Sequence, residues 1–323
     1  MKVAQLLEKR RAGWAELETM CRTLESGGTR RLGPEGVLRF ATAYRSACAD
    51  LALADAYQLP PHTVQYLHDL VGRAHNQLYR SKMFRWRQWG HELFVEVPRR
   101  LLFDRTLWLA TAVFWGIFFA SMALGYSSRS YCEDTVGVDA LASVEQSFAT
   151  PPRGRDANTS GAMGGFYVFN NAGIGLRCFA GGLVLGVGGL LITISNAIQL
   201  GAIFGHMFTV EARDNFIEFV TAHGPFELTA IVFSSAAGMR LGFALVDTGG
   251  LSRIKSLQRA VYQAVPTMAM AVILFCLAAV IEGFISPSSL PYAAKAGVAV
   301  VSTILLLLYV FGLGWLGRPR RAV

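Results

Sequence analysis

Five stretches of this sequence, Leu107–Tyr126, Phe169–Ile194, Leu228–Val246, Val265–Ile285 and Ala293–Gly314, run almost free of charge. Each approaches the roughly 20 residues that cross the hydrocarbon core of a bilayer as a helix, and each exceeds the roughly 10–14 residues of a helix buried in a soluble core. They lie beyond about Arg105, where a charged and periodic N-terminal part gives way to apolar sequence, and they lift the mean hydropathy to +0.37. The fold class that follows is all-α: a polytopic membrane helix bundle preceded by a smaller helical domain.

The first residues, "MKVAQLLEKRRAGWAELE", have no continuous apolar core and no small-residue cleavage site. They read as an amphipathic helix, and the first apolar run is expected to bring the chain into the membrane. Leu6, Leu7, Trp14, Leu17, Cys21 and Leu24 mark its apolar face up to Gly27-Gly28. Pro34 opens a second helix with Val37, Leu38, Phe40, Ala41, Tyr44, Cys48 and Leu51 on its face. Pro60-Pro61 breaks that helix and opens a third, bearing Val64, Leu67, Leu70, Val71, Ala74 and Leu78. Residues 1–81 are therefore expected to form a cytoplasmic three-helix domain. Residues 82–104 follow as an amphipathic segment in which Phe84, Trp86, Trp89, Leu93, Phe94 and Val97 alternate with arginines, a composition suited to the membrane surface. Residues 105–318 make the transmembrane domain, with an external loop at 127–166, and 319–323 a basic cytoplasmic tail.

The formal charge of +8 sits at the ends of the apolar runs. Arg80, Lys82, Arg85, Arg87, Arg99, Arg100 and Arg105 precede the first, Arg253, Lys255 and Arg259 separate two others, and Arg318, Arg320 and Arg321 follow the last. This is the positive-inside pattern of cytoplasmic flanks, so no nucleic-acid partner is expected. The loop 127–166 carries Glu133, Asp134, Asp139, Glu145 and Asp156 against three arginines and suits the outside. For both basic loops to be cytoplasmic, the chain must cross once more between Asn196 and Thr221. "AIQLGAIFGHMFTVEA" is the segment available, as a short span or as a re-entrant one. About six spans with both termini cytoplasmic result. Cys132 falls in the external loop, where it is either an incidental thiol or an intermolecular disulfide partner; the five cysteines form no metal spacing.

Glycines four apart recur in successive helices: Gly182 and Gly186, Gly201 and Gly205, Gly238 and Gly242. In lipid such pairs let backbones approach closely, here by default within one chain. Ionisable and amide side chains in the runs are costly and mark sites or structural ties. An outer layer comprises Asn170, Asn171, Arg177, Glu211, His223, Glu227 and Glu282, with His206 in the segment between; Arg177 is placed to neutralise Glu227 or Glu282. An inner layer comprises Asn196, Arg240 and Asp247. His223 and Glu227, four apart behind Pro225, share a helix face and suit a metal, a proton relay or a plain hydrogen bond. Two ligands are too few for a metal site, so no metal and no cofactor is expected.

Several stretches resemble the bacterial stage II sporulation protein M family. They are "YRSACADLALA" from Tyr44, "YLHDLVGRAHNQLYR" from Tyr66, "FNNAGIG" from Phe169, Asn196, "HGPFEL" from His223, "AAG" from Ala236 and "IEGFISP" from Ile281, over nearly the whole length. The chain departs from the family at Ala222, where proline is usual, and at Ala197, where glycine is usual. The resemblance implies a multi-pass protein of the bacterial cytoplasmic membrane, whose sporulating relatives work beside cell-wall hydrolases during engulfment. Arginine outnumbers lysine 25 to 5, which points to a GC-rich and non-sporulating host; there, related proteins occur beside AAA+ ATPase and other membrane components. The resemblance supplies no catalytic residue. The leading expectation is a non-enzymatic scaffold of a cell-envelope complex, working as a homodimer in the lipid bilayer. A transporter or channel using the polar layers, and an intramembrane enzyme using His206, Glu211, His223 and Glu227, are the alternatives.

Overall fold

The computed structural model describes residues 3–27, 32–78, 86–151 and 157–317. Phe84, Arg80, Lys82, Arg85, Asp156 and the basic tail 319–323 lie outside these residues, as do Gly28 and the side chains of Leu6, Leu7 and Pro34. Among the described residues the chain is helical and has no strand. It divides into two compact units, residues 1–85 and 86–323.

The first unit is three helices, α1 (Val3–Gly27), α2 (Gly33–Ala56) and α3 (Pro61–Leu78). Its core joins Trp14, Leu17, Cys21 and Leu24 of α1 to Leu67, Leu70 and Ala74 of α3, as their helical spacing implies. The buried stripe of α2 differs from the expected one. It runs through Phe40, Ala47, Asp50 and Ala54, while Leu38 is 68% exposed. Small alanines let α2 approach its neighbours, whereas a reading of the largest apolar side chains rotates the face. Asp50, buried beneath α1, accepts from Trp14 Nε1 at 2.9 Å and pairs with Arg10.

The second unit begins with α4 (Trp86–His91), a π-helical turn (Glu92–Glu96) and α5 (Val97–Leu102). Trp86, Phe94 and Phe103 are exposed, yet Val97, Pro98 and Leu101 are buried. The segment thus presents aromatics outward and packs its other face on the bundle. Next come α6 (Arg105–Ser127), α7 (Arg129–Val136), α8 (Val138–Ser147), α9 (Ala157–Gly181), α10 (Val187–Met207), α11 (Arg213–Thr221) and α12 (Gly224–Val246). Then α13 (Arg253–Val280) continues through a π-helical turn (Ile281–Ile285), and α14 (Tyr292–Leu307) through another (Leu308–Leu313) to the short α15 (Gly314–Leu316).

Five of these segments are long and apolar enough to cross a membrane: 105–127, 187–207, 224–246, 253–285 and 292–316. The second expected span, Phe169–Ile194, is divided. The chain turns at residues 182–186, where Leu185 and Gly186 adopt positive φ of 52° and 81°. Residues 178–192 around the break are all apolar, so hydropathy alone cannot show it; the glycines make it. The expected short crossing around 197–212 is accordingly the second half of a full-length helix, α10, and not a re-entrant segment.

Helix directions follow from which residues meet. Gly201 lies against Phe118 and Ser121, and Gly205 against Met122 and Tyr126, so α6 and α10 are parallel. Gly175 lies against Ser234 and Gly182 against Gly238, so α9 and α12 are parallel. Arg240 bonds Gln263 and His223 bonds Ser286, so α12 and α13 are antiparallel. α14 starts beside the end of α13, through Lys295 and Ser286, and ends beside the start of α6, through Phe311 and Trp108. Hence α6, α10 and α13 run one way and α9, α12 and α14 the other. Two parallel passes, α6 and α10, need a return between them, and α9 is that return. It is 25 residues long but carries six glycines, three asparagines and Arg177, which keep its hydropathy below that of its neighbours.

One end of the bundle, called here the basic end, gathers the start of α6, the 182–186 turn, the α12–α13 connection and the end of α14. The opposite, acidic end gathers α7, α8, α11 and the α13–α14 connection. The region 127–166, expected as a polar loop, is mostly helix. Cys132 of α7 is fully buried, with its Sγ 3.4 Å from Gly125 O and 3.5 Å from Ala202 O. Burial raises the Cys132 thiol above its ordinary range, and a disulfide to a second molecule is sterically closed to it.

Candidate functional site

The acidic end holds the densest group of buried polar side chains. His223 precedes α12, and Pro225 occupies the first turn, where its missing N–H costs nothing. The helix that follows sets Glu227 one turn above His223, and His223 Nε2 stands 3.6 Å from Glu227 Oε2. α13 arrives antiparallel, and its π-helical turn carries Glu282 into the same space. Such turns insert a residue into the helix and redirect side chains, frequently at functional sites. Ser286 Oγ lies 2.9 Å from His223 Nδ1, and Asn171 Nδ2 of α9 donates to Glu282 Oε2 at 3.4 Å. The Phe219 ring stands edge-on to His223 at 5.6 Å. One ligand atom each from His223, Glu227 and Glu282 lies within 4.8 Å of the other two. His223, Glu282 and Asn171 are 5%, 8% and 5% exposed.

The remaining outer-layer residues are placed otherwise. Asn170 is exposed and donates to Asn171 Oδ1 at 3.0 Å. Arg177 does not neutralise either glutamate. It is exposed on α9 near the basic end, and its Nε donates to Gly173 O at 3.3 Å. The displaced helix boundary is the cause: with α9 ending at Gly181, Arg177 falls one turn from the opposite end. Glu211 is exposed. His206 is buried but turns away to α8, where its Nε2 lies 2.6 Å from Glu145 Oε1. Arg129 stands 3.8 Å from the same carboxylate oxygen and bonds Glu133 at 2.8 Å. His206 and Glu211 are therefore not part of the His223 group, and the four residues expected to converge do not.

At the basic end, Asp104 caps α6 by accepting from Thr106 N at 2.9 Å and pairs with Arg240 of α12. Arg240 also donates to Gln263 Oε1 at 3.3 Å, and Arg100 donates to Gln263 O at 3.2 Å while pairing with Glu92. Asp247 is exposed and accepts from Gly249 N. Asn196 is not at this end; it lies midway along α10 and donates to Ile192 O of its own helix.

Between the ends the buried polar groups of α12 are hydroxyls. Ser235 accepts from Thr193 at 2.8 Å, and Ser234 donates to Ala230 O at 2.8 Å. Around them the helices touch backbone to backbone. A Cβ on Gly182 would stand 2.1 Å from Gly238 C, and one on Gly205 would stand 2.2 Å from Met122 O. Two apolar grooves of about 530 and 520 Å³ flank α14, and neither is lined by His223, Glu227, Glu282, Asp104 or Arg240.

Sequence reasoning missed Asp104, Gln263, Glu145, Ser286, Lys295 and Glu218. Asp104 carried a legible signal, since an aspartate just before an apolar run is an N-cap. Lys295 carried another, as the one lysine in its run. It is fully buried and donates to Glu218 Oε1, Ser286 O and Ser288 O at 2.7, 2.9 and 2.8 Å.

A family model described as stage II sporulation protein M matches residues 106–287. A second, described as a domain of unknown function (DUF8413), matches residues 4–80. The stretches from Tyr44 and Tyr66 thus fall under a separate family, and the sporulation-family match is confined to the membrane unit. No curated protein and no solved structure matches the chain. The match takes in α6 to α13 and the whole His223 group, covering more than half of the sequence, and on that ground the chain belongs to the stage II sporulation protein M family.

Proposed function

We propose that this protein is a non-enzymatic membrane scaffold that recruits partners to a complex of the bacterial cell envelope. The observation that carries the proposal is the middle of the bundle. Hydroxyl pairs and glycine contacts fill the space between the two charged ends; among the described residues of the membrane unit, buried His206, His223, Glu282 and Lys295 lie at the acidic end and the Arg240–Asp104 pair at the basic end. A solute or proton path needs polar groups that continue from one face to the other. A rigid core with chemistry at its two surfaces is what a scaffold needs instead.

Orientation follows from charge. The basic end carries Arg99, Arg100, Arg105, Arg253, Lys255 and Arg259, and the acidic end carries Glu133, Asp134, Asp139, Glu145, Glu211, Asp214 and Glu218. The positive-inside rule puts the basic end in the cytoplasm of the inner membrane, and the even number of passes keeps both termini there. The three-helix unit then offers a cytoplasmic docking surface, including the exposed Leu38 and Tyr57, to components such as those associated with AAA+ ATPases. A homodimer is the assembly we favour, because closed two-fold pairs are the commonest oligomers.

The test is site-specific photocrosslinking in native membranes, with the probe at Leu38 or Tyr57 and, as reference, at lipid-facing Val300. Discrete adducts from the first two positions and not from the third are expected. Absence of specific adducts, together with ion or solute flux through vesicles reconstituted with the pure protein, would replace the scaffold with a transporter.

A further inference from the structure

We propose that His223, Glu227 and Glu282 form a binding site for one divalent transition-metal cation of the zinc class. The sequence places two of the donors one helical turn apart, and the fold supplies the third from the end of α13. Three side chains from two antiparallel helices present one imidazole nitrogen and two carboxylate oxygens within 4.8 Å of one another. Zinc binds such atoms at about 2.0–2.2 Å, so tetrahedral ligands stand about 3.3–3.6 Å apart. The His223 Nε2 to Glu227 Oε2 separation of 3.6 Å is already close to that spacing and too long for a hydrogen bond. Glu282 offers its oxygen within 4.8 Å of both, and a bound ion would draw it inward to ligand spacing.

The surroundings match a metal centre. A ligating histidine normally engages a partner through its other ring nitrogen, which fixes the ring and aims the ligand atom. Here Ser286 Oγ holds Nδ1 at 2.9 Å and leaves Nε2 facing the carboxylates. Asn171 plays the corresponding part for Glu282 at 3.4 Å. Two carboxylates this close in a desolvated site repel each other as anions. A dication cancels both charges. The donor set also selects the ion: calcium takes six to eight oxygens and magnesium keeps several waters, whereas one imidazole with two carboxylates suits zinc and its neighbours. A water completes the fourth position.

The test uses the full chain, purified without chelator into lipid nanodiscs, equilibrated with Zn²⁺ and then freed of unbound ion. Elemental analysis is expected to find about one zinc per chain in the wild type and in Glu211→Gln, whose side chain lies elsewhere. Loss of an outer partner commonly weakens metal affinity about 10–100-fold, so Ser286→Ala should fall in that range and Glu227→Gln and Glu282→Gln at or beyond its upper limit. Zinc retained undiminished by both glutamine variants, or no stoichiometric zinc in the wild type, overturns the proposal. Should the glutamine variants fail to fold, X-ray absorption of the zinc-loaded wild type decides. A shell of nitrogen and oxygen at about 2.0–2.2 Å with a single imidazole supports the site, and sulfur at about 2.3 Å or several imidazoles refutes it.

Discussion

Gly242 gives the sharpest test of how the bundle is held. A methyl group there would stand 1.8 Å from Gly186 N and 2.1 Å from Gly182 O, both backbone atoms of the 182–186 turn. No rotamer change relieves such a contact; α12 must move away from the turn by more than an ångström. Overpacking of this kind costs about 1–3 kcal/mol, and a clash against backbone belongs at the upper end. Alanine regains about 1 kcal/mol over glycine in helix propensity. The net is about 2 kcal/mol of destabilisation, which lowers the melting midpoint of a unit this size by about 4–8 °C. Gly297 of α14 is the matched control, because a Cβ there meets nothing within 4 Å. Gly297→Ala keeps only the propensity gain and should melt at or slightly above the wild type. The assay is thermal unfolding in nanodiscs, followed by tryptophan fluorescence and helical circular dichroism. Equal midpoints for Gly242→Ala and Gly297→Ala would refute the backbone contact, and with it the glycine-locked core on which the scaffold reading rests.

Three further outcomes follow from the same packing. Arg240 and Asp104 are 16% and 8% exposed, so Arg240→Met should cost about 3–5 kcal/mol by stranding a buried carboxylate; Asp104→Asn with Arg240→Met should cost less than the sum of the singles, read from melting midpoints in a double-mutant cycle. Cys132 should resist maleimide in folded protein and react after denaturation, and non-reducing gels should show no dimer that depends on it; ready labelling of the folded chain would contradict its burial. Lys295→Met should destabilise the acidic end by about 3–5 kcal/mol, because Glu218 and two carbonyls lose a buried cation, and protease cleavage between α13 and α14 should accelerate; an unchanged cleavage rate would show that the bonds to Nζ contribute little.

The helical class and most of the membrane segments were legible because length and charge exclusion are properties of the solvent, not of tertiary contact. The 182–186 turn was not legible for the same reason. Residues 178–192 are apolar on both sides of the break, and the turn's own Leu183, Val184 and Leu185 are apolar and exposed, so hydropathy carries no mark of it. The glycine pairs themselves were plain in sequence, but their partners were not. Gly182 and Gly186 of the 182–186 turn meet Gly238 and Gly242 of α12, a pairing that four-residue spacing implies without naming. In the N-terminal unit the α2 stripe was misjudged because Ala47 and Ala54 weigh less than Leu38 on any scale of hydrophobicity, while close helix approach rewards their small size.

The candidate site shows the complementary limit. His223 and Glu227 were readable as a pair because both lie on one helix at a fixed spacing. Glu282 was readable as a costly residue near the end of an apolar run, but its companions were not, since they depend on helix direction. Once α12 and α13 are antiparallel, the last turn of one must lie beside the first turn of the other, and Glu282 has nowhere to go but toward His223. The same rule explains the failures. Arg177 and His206 were assigned neighbours by their distance from expected span ends. Moving the end of α9 to Gly181 sends Arg177 to the basic end. Forming helix α8 in the supposed loop gives His206 a carboxylate of its own. Polar residues in a membrane bundle are thus identifiable by cost alone, whereas their partners are fixed by where helices stop, and a glycine-rich apolar turn is the stopping signal that hydropathy does not carry.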